Sequence, residues 1–157
     1  MGLDMYLKAS KYVSGFDFQE GSNENRLAVM NVCRAAGLPA TLLTDDSPSV
    51  EVLVTVAYWR KANAIHAWFV RECQGGEDKC QQTHVTKEKL QELLDLCKRV
   101  LKERDASLLP PQSGFFFGST SVDAWYWEDI QNTVKKLTAV LKAPAIKECD
   151  LYYQSSW

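Results

Sequence analysis

The fold is inferred from one stretch, Tyr58-Trp59-Arg60-Lys61-Ala62-Asn63-Ala64-Ile65-His66-Ala67-Trp68-Phe69-Val70. Wound at about 100° per residue, it predicts a helix with one broad apolar face. The neutral polar side chains of Asn63 and His66 lie within or at the rim of that face, on the same arc as Trp59. A buried imidazole or carboxamide without a hydrogen-bond partner costs about 1–3 kcal/mol. We therefore expect each to meet either the protein's own chain or a ligand.

Both interpretations of Asn63 and His66 remain open from the sequence. In the first, they are core polar groups satisfied by backbone or side-chain partners. In the second, an imidazole, a carboxamide and an indole one turn apart form the wall of a pocket for a small polar ligand. In either case we expect both side chains to be mostly buried and to lie near the loop of residues 113–120.

Four segments have the pattern of β-strands. Residues 3–9 alternate apolar and polar side chains, which predicts a first strand. Residues 50–57 are rich in β-branched side chains and nearly continuously apolar, as expected of a central strand covered on both faces. Residues 82–85 predict a short strand, and the aromatic alternation of 151–157 predicts a terminal strand that joins the sheet.

Three further helices are predicted besides the one in the opening stretch. The first runs from Ser22 or Asn23 to Ala36, with Leu27, Met30 and Cys33 facing inward and Gly37 at its C-terminal end. The second follows Thr86 and has the clearest apolar stripe, and the third spans about 122–142 after a cap at Ser121 or Asp123. The stripe of the second consists of Leu90, Leu93, Leu94, Cys97, Val100 and Leu101. The third carries the apolar side chains of Trp125, Tyr126, Ile130, Val134, Leu137 and Leu141.

Together these elements predict a single α+β domain over residues 1–157. We expect an antiparallel or mixed sheet of about four strands with three to four helices packed on it.

Composition narrows the classes of function. The 18 Lys and Arg residues nearly balance the 20 Asp and Glu residues, for a net charge of −2, and no basic block supports binding to nucleic acid. No apolar run reaches the roughly 18 residues of a membrane span, and no secretion signal is recognised, so a cytoplasmic protein is expected. The odd number of cysteines, five, favours free thiols. No cofactor is expected, although a zinc site at Cys73, Cys80 and His84 remains open.

The segment Gln112-Ser113-Gly114-Phe115-Phe116-Phe117-Gly118-Ser119-Thr120-Ser121 contains a second candidate for ligand binding. Three adjacent phenylalanines would form an apolar patch if all were exposed, so some of them are expected to pack inward or to cover a pocket. Glycine followed by hydroxyl side chains before a helix can bind phosphate through backbone N–H groups. A buried strand followed by a helix cap is the alternative.

Several motifs of the chain resemble a set of small proteins from bacteriophages and prophages. The motifs that carry the resemblance are Met1-Gly2-Leu3-Asp4-Met5-Tyr6-Leu7, Tyr58-Trp59-Arg60-Lys61-Ala62-Asn63-Ala64-Ile65-His66, Leu109-Pro110-Pro111-Gln112-Ser113-Gly114-Phe115-Phe116-Phe117-Gly118-Ser119-Thr120 and Tyr152-Tyr153-Gln154-Ser155-Ser156-Trp157. The resemblance spans the whole chain. It implies a phage accessory protein that acts in the bacterial cytoplasm. Such proteins often blunt host defence by binding a defence protein, or by trapping or destroying its nucleotide signal.

Our first hypothesis is therefore a protein that binds a small anionic ligand, such as a nucleotide signal, without catalysis. Base stacking on aromatic side chains, worth about 1–3 kcal/mol per base, would support tight binding. Tyr152 and Trp157 could help to close such a pocket. These residues are predicted to bind the ligand: Trp59, Arg60, Asn63, His66, Ser113, Phe116, Gly118, Ser119, Thr120 and Gln154.

Two alternatives remain. In an enzyme acting on a nucleotide or metabolite, His66 would be the general base, Asp4 or Asp129 would orient it, and Arg60 would stabilise developing negative charge. A protein–protein inhibitor of a host protein would instead use an aromatic surface, for instance Trp68 with Trp157. Assembly into a homo-oligomer is left open.

Overall fold

The computed structural model describes residues 2–15, 22–38, 49–114 and 117–157. The predictions for Phe115 and Phe116, for most of the connector 39–49 and for residues 16–21 lie outside the described residues.

Over the described residues, the structure has an α+β fold with one antiparallel four-stranded sheet and four α-helices. The strands lie in the order β2-β1-β4-β3. In chain order the elements are β1 (Asp4–Ser14), α1 (Ser22–Ala35), β2 (Ser49–Arg60), α2 (Asn63–Cys73), β3 (Thr83–His84), α3 (Lys87–Glu103), α4 (Ala124–Lys142) and β4 (Asp150–Ser156), with 3₁₀ turns at Ala106–Leu108 and Pro144–Glu148. The predicted fold class is thus confirmed, including the short third strand and the terminal strand.

The chain divides into two compact units, Met1–Ala9 with Val54–Trp157, and Ser10–Leu53. The second unit contains α1, which ends in a glycine-dependent turn. Gly37 has φ +73°, its N–H donates to the carbonyl of Arg34, and the next N–H donates to Cys33. This is the predicted C-terminal cap. The predicted inward face is wrong in part, because Leu27 is 65% exposed while Val29 and Cys33 are buried. That the chain forms a single domain stays a prediction.

The core of the first unit forms between the sheet and the helices of that unit. Strict alternation buries Met5 and Leu7 on one face of β1, with Leu3 buried just before the strand, and Leu151 and Tyr153 on one face of β4. A period of two places these side chains on the same side of neighbouring strands, which is why the alternation predicted both strands correctly.

The last two helices, α3 and α4, supply a large part of the remaining core. Thr86 caps α3 by accepting a hydrogen bond from the N–H of Lys89, as predicted. Asp123, one of the two predicted caps, begins α4 by accepting from the N–H groups of Trp125 and Tyr126. Of the stripe predicted on α3, Leu101 is only half-buried and the others are buried.

The opening stretch is not one helix. It continues β2 to Arg60, and α2 begins only at Asn63. Ala57 and Trp59 are buried with the period of a strand, and the Lys61 N–H donates to the carbonyl of Leu3 at 2.8 Å. Pairing with a strand that is distant in the sequence therefore overrides the local helical pattern. The helical arc shared by Trp59, Asn63 and His66 does not exist.

The strand predicted to be central is an edge strand of the described sheet. β2 lies at one end of the strand order, and most of Ser49–Tyr58 is exposed or half-buried. Its apolar composition reflects β-propensity rather than cover on both faces. The inner strands are β1 and β4.

None of the helices in the described part of the chain combines the length and the apolar character that crossing a bilayer requires.

Candidate functional site

The junction between β2 and α2 creates an unusual backbone turn. Lys61 has φ +58°, a left-handed conformation that costs a non-glycine residue about 1–3 kcal/mol. The following residue, Ala62, caps α2 but has no polar side chain to accept from the first turn. The first N–H groups of a helix find no acceptor within the helix itself. The Asn63 N–H donates to the Lys61 carbonyl at 2.8 Å, which leaves the N–H groups of Ala64 and Ile65 as the helix-start donors beside two cationic side chains, Arg60 and Lys61.

A cavity of about 360 Å³ opens at this junction. One wall is the junction itself, a second is the start of α4, and the third comes from the segments on either side of the phenylalanine motif. The residues that line it are Arg60, Lys61, Ala62, Asn63, Ala64, Ile65, Pro111, Gly118, Ser119, Ser121, Asp123, Trp125, Tyr126, Asp129 and Ile130. Its volume is in the range of small-molecule sites.

Asn63 holds one wall of the cavity in place. Its Nδ2 donates to the carbonyl oxygens of Phe117 at 3.0 Å and Ser119 at 2.8 Å, while its Oδ1 accepts from the N–H of Gln112 at 3.3 Å. Both amide hydrogens are thus used by the protein's own backbone. Asn63 is 6% exposed, so its predicted burial and its predicted position beside the loop are both confirmed. In this structure Asn63 shapes the wall.

A glycine allows the loop to pass closely over the junction. Gly118 has φ +85°, and a Cβ at this position would lie 3.5 Å from the Cβ of Lys61. The left-handed backbone, rather than the available space, makes glycine the favoured residue here.

The cavity is lined by both acidic and basic side chains. The Asp123 carboxylate is engaged by the two N–H groups that it caps. Burial raises the pKa of Asp129 to about 6, and neighbouring Glu128 adds to this while Lys136 opposes it. Near neutral pH a fraction of the Asp129 carboxyl is therefore still protonated. The exposed cations Arg60 and Lys61 and the helix start leave the junction side electropositive.

Two hydrogen bonds fix Asp129 relative to the junction. The indole Nε1 of Trp59 donates to Thr133 Oγ1 at 2.9 Å, and that hydroxyl donates to the Asp129 carbonyl at 2.7 Å. Lys136 Nζ also donates to the Tyr58 carbonyl. The wall that carries Asp129 is therefore tied to the strand that carries Arg60.

His66 lies in a separate buried network. Its Nδ1 is 2.7 Å from the hydroxyl of Tyr153, and its Nε2 is 3.3 Å from Asp78 Oδ2. Asp78 also accepts from Ser155 Oγ at 2.8 Å and from the indole of Trp157 at 2.7 Å. These bonds join α2, β4 and the turn that follows α2.

The protonation of His66 follows from its surroundings. Burial lowers the pKa of His66, and the Asp78 carboxylate opposes that shift without reversing it. A neutral imidazole that donates from Nε2 to Asp78 accepts at Nδ1 from the Tyr153 hydroxyl. Of the two interpretations weighed from the sequence, the satisfied core polar group is the one observed for His66, which is 1% exposed.

The predicted ligand residues separate into three groups: those that line the cavity, those that lie elsewhere in the fold, and those on or beside the loop. Arg60, Asn63, Gly118 and Ser119 line the cavity together. Trp59 is buried against Thr133, and His66 occupies its own network. Gln154 is also elsewhere, since its Nε2 donates to the Cys80 carbonyl at 3.0 Å and its Oε1 accepts from Lys8 at 2.7 Å.

The remaining predicted ligand residues lie on or beside the loop. Ser113 and Thr120 are exposed but are not among the described lining residues, and Phe116 lies outside the described part of the chain. Phe117 is half-buried, with its ring 4.8 Å from that of His66 and 6.5 Å from that of Trp157. The predicted inward packing of the phenylalanine motif is thus confirmed at Phe117. The same contact confirms that His66 lies near the loop.

Sequence reasoning missed the contribution of α4. Tyr126, Asp129 and Ile130 line the cavity from neighbouring turns of that helix. Their spacing of three and four residues is the signal that could have identified this wall. Trp125, on the same helix, is 74% exposed and also lines the cavity.

Two predicted arrangements are contradicted by the structure. The carboxylate that contacts His66 is that of Asp78. The two carboxylates predicted to orient His66 lie elsewhere, since Asp4 accepts a hydrogen bond from the hydroxyl of Tyr58 and Asp129 lines the cavity. Trp68 is 3% exposed against Phe69, so it offers no surface for a partner protein.

Within the described ranges, no three His, Cys, Asp or Glu side chains gather closely enough to hold a metal ion. The cysteines at 73 and 97 are poor nucleophiles, because burial raises the pKa of Cys73 to about 11 and that of Cys97 to about 12.

Comparison of the chain with protein-family models, with curated proteins and with solved structures gives no match.

Proposed function

We propose that the protein binds a small anionic ligand in the cavity at the β2–α2 junction, without catalysis. The observation that carries the proposal is the convergence of Arg60, Lys61 and the open start of α2 on one concave site. Backbone N–H groups at a helix start and nearby cationic side chains are a recurrent arrangement for phosphate and carboxylate groups.

The strained turn supports the same proposal. Lys61 keeps a left-handed backbone where glycine would be relaxed, and this conformation directs the chain into α2 at the cavity. Strain of this kind clusters at binding sites, where the surrounding structure holds it in place. The cationic side chain is a reason for lysine to occupy the position.

The general-base alternative has less support. Both ring nitrogens of His66 are engaged, by Tyr153 and Asp78, and the imidazole is buried away from the described cavity lining. A general base must reach the proton that it removes, directly or through one water.

The resemblance to phage and prophage proteins gives this binding activity a context. We place the protein in the cytoplasm of an infected bacterium, where sequestering an anionic signal such as a nucleotide would counter host defence. Binding a host protein remains the alternative.

Calorimetric titration with pyrophosphate and with nucleoside monophosphates tests the binding proposal. We expect binding by the wild-type protein and a loss of about tenfold or more in affinity for Arg60→Ala, since a charged hydrogen bond contributes about 1.5–3 kcal/mol. Lys98→Ala removes one positive charge from an exposed site on α3 and is the matched control. Equal affinities for Arg60→Ala, Lys98→Ala and wild type would contradict the proposal.

A further inference from the structure

The wall of the cavity formed by α4 includes a carboxyl group, which has no role in binding the anionic part of the ligand. Asp129 lines the cavity from α4, while Arg60 and Lys61 line it from the β2–α2 junction. Through Thr133, the Trp59 indole holds the two walls in register. A ligand bound at Arg60 and Lys61 therefore shares the cavity with an acceptor side chain on α4.

The chemistry of a carboxylate restricts what it can recognise. Its two oxygens only accept hydrogen bonds, so its best planar partner offers two adjacent N–H donors. Among the common nucleobases, guanine presents such a pair at N1 and N2. Adenine and cytosine each place an acceptor nitrogen beside their amino group, and uracil places its single N–H between two carbonyl oxygens.

We infer that the anionic ligand is a guanine nucleotide, with its phosphate at Arg60 and Lys61 and the N1–H and N2–H donors of the base on the Asp129 carboxylate. This inference rests on the proposed function and specifies its ligand. Trp125, exposed at the rim of the cavity, offers an aromatic face on which a base can stack. The cavity volume of about 360 Å³ is sufficient for a small molecule of this class.

The selection depends on the ionisation of Asp129. The pKa of Asp129 is raised to about 6 by burial and by Glu128 and Asp123 on its own helix, against the opposing charge of Lys136. Arg60 and Lys61 face the same cavity from the junction. Below that pKa the protonated carboxyl has one donor and one acceptor, which fits the N6–H and N1 of adenine as well as the O6 and N1–H of guanine. The ratio of GMP affinity to AMP affinity should therefore fall on acidification, because the phosphates of the two ligands titrate alike.

The experiment measures the affinities of GMP, AMP and pyrophosphate for the full chain by calorimetry at pH 7.5 and pH 5. We expect wild-type protein to prefer GMP by about fivefold or more at pH 7.5, the discrimination of a good bidentate contact, and to lose most of that preference at pH 5. Asp129→Asn supplies an amide with one donating and one accepting group, which fits either base, so we expect it to lose most of the preference for GMP. Asp129→Ser supplies no planar pair and should bind both nucleotides alike. Glu128→Gln removes the adjacent exposed charge and should keep the preference for GMP.

The outcomes separate the inference from the proposal beneath it. A GMP/AMP ratio unchanged in both Asp129→Asn and Asp129→Ser overturns the inference, as does equal binding of the two nucleotides by the wild type. Binding of pyrophosphate alone overturns the guanine assignment but leaves an anion site at Arg60 and Lys61. Failure of all three ligands to bind overturns both.

Discussion

The Nδ2 group of Asn63 lies 2.8 Å from the carbonyl oxygen of Ser119. This bond, with its companion to Phe117, fastens the loop between α3 and α4 to the first residue of α2. The amide that the sequence suggested as a ligand contact thus shapes the cavity by binding the protein's own backbone.

The hydrogen bonds of the Asn63 side chain predict a specific order of stabilities among variants. Asn63→Ala should lower the free energy of unfolding by about 2–3 kcal/mol, because it leaves two carbonyls without their donors. Asn63→Asp should cost at least as much, since an acceptor-only carboxylate would face those same two oxygens. Urea unfolding measures both. Asn31→Asp, at an exposed position of α1, makes the same chemical change and should shift stability by less than about 0.5 kcal/mol. An Asn63→Asp variant as stable as wild type would show that these hydrogen bonds do not form.

Lys61→Gly is predicted to separate stability from binding. Glycine accepts the φ of +58° without the strain of a side chain, so stability should be unchanged or higher by up to about 1 kcal/mol. The same change removes a cation from the cavity and should weaken pyrophosphate binding. Thermal unfolding and calorimetry on one preparation report the two effects. Weakened stability together with unchanged affinity is the combination that the account does not allow.

Asp129 predicts a pH-dependent cost to stability. Its pKa of about 6 in the folded protein lies above the ordinary value of 3.8, so the folded state binds this proton more tightly than the unfolded state. The stabilisation from the protonated group is therefore fully present below about pH 4 and is lost as the pH rises through 6. Discounted for solvent screening, the loss is about 1–2 kcal/mol.

Asp129→Asn should remove that dependence. Its stability relative to wild type should be greater at pH 7.5 than at pH 4, as measured by urea unfolding at both values. Glu128→Gln lies on an exposed turn beside it and serves as the control for general charge effects. Equal stability differences at the two pH values would mean that the carboxyl is not desolvated at the cavity.

The hydrogen bond between Tyr153 and His66 predicts that loss of the Tyr153 hydroxyl destabilises the protein even though the ring stays buried. Tyr153→Phe keeps the ring stacked on Phe69, at a centroid distance of 4.0 Å, but leaves the His66 Nδ1 without its donor. We expect a loss of about 1–3 kcal/mol in the free energy of unfolding. Tyr152→Phe removes a hydroxyl from the opposite face of β4 and should be nearly neutral. Similar losses for the two variants would contradict the hydrogen bond.

The sequence predicted the elements whose signal is local. Alternation identified β1 and β4, and the stripe ending at Val100 identified α3, because each pattern repeats over many residues of one element. The border between β2 and α2 could not be found this way, since Tyr58 to Lys61 fits either period. The bond from the Lys61 N–H to the Leu3 carbonyl decides it, and that partner is remote in the sequence.

The candidate site was only partly predictable for the same reason. Arg60, Gly118 and Ser119 were expected together and do line one cavity. The partner of His66 was missed because Asp78 follows a glycine turn and fits no recognisable motif. Asp129 was considered only as an orienting partner of His66, and its place in the cavity was missed because a carboxylate near the start of a helix is explained equally well by the helix dipole.

The central claim is that the start of α2 and its two preceding cations bind an anion. It is tested most directly by following backbone amide resonances of the ¹⁵N-labelled protein during titration with pyrophosphate. We expect saturable shifts concentrated at residues 60–65 and at Gly118 and Ser119, which in the Arg60→Ala variant should saturate only at pyrophosphate concentrations about tenfold or more higher. Resonances that stay unchanged at these positions, or shifts centred on residues outside the lining of the cavity, would contradict it.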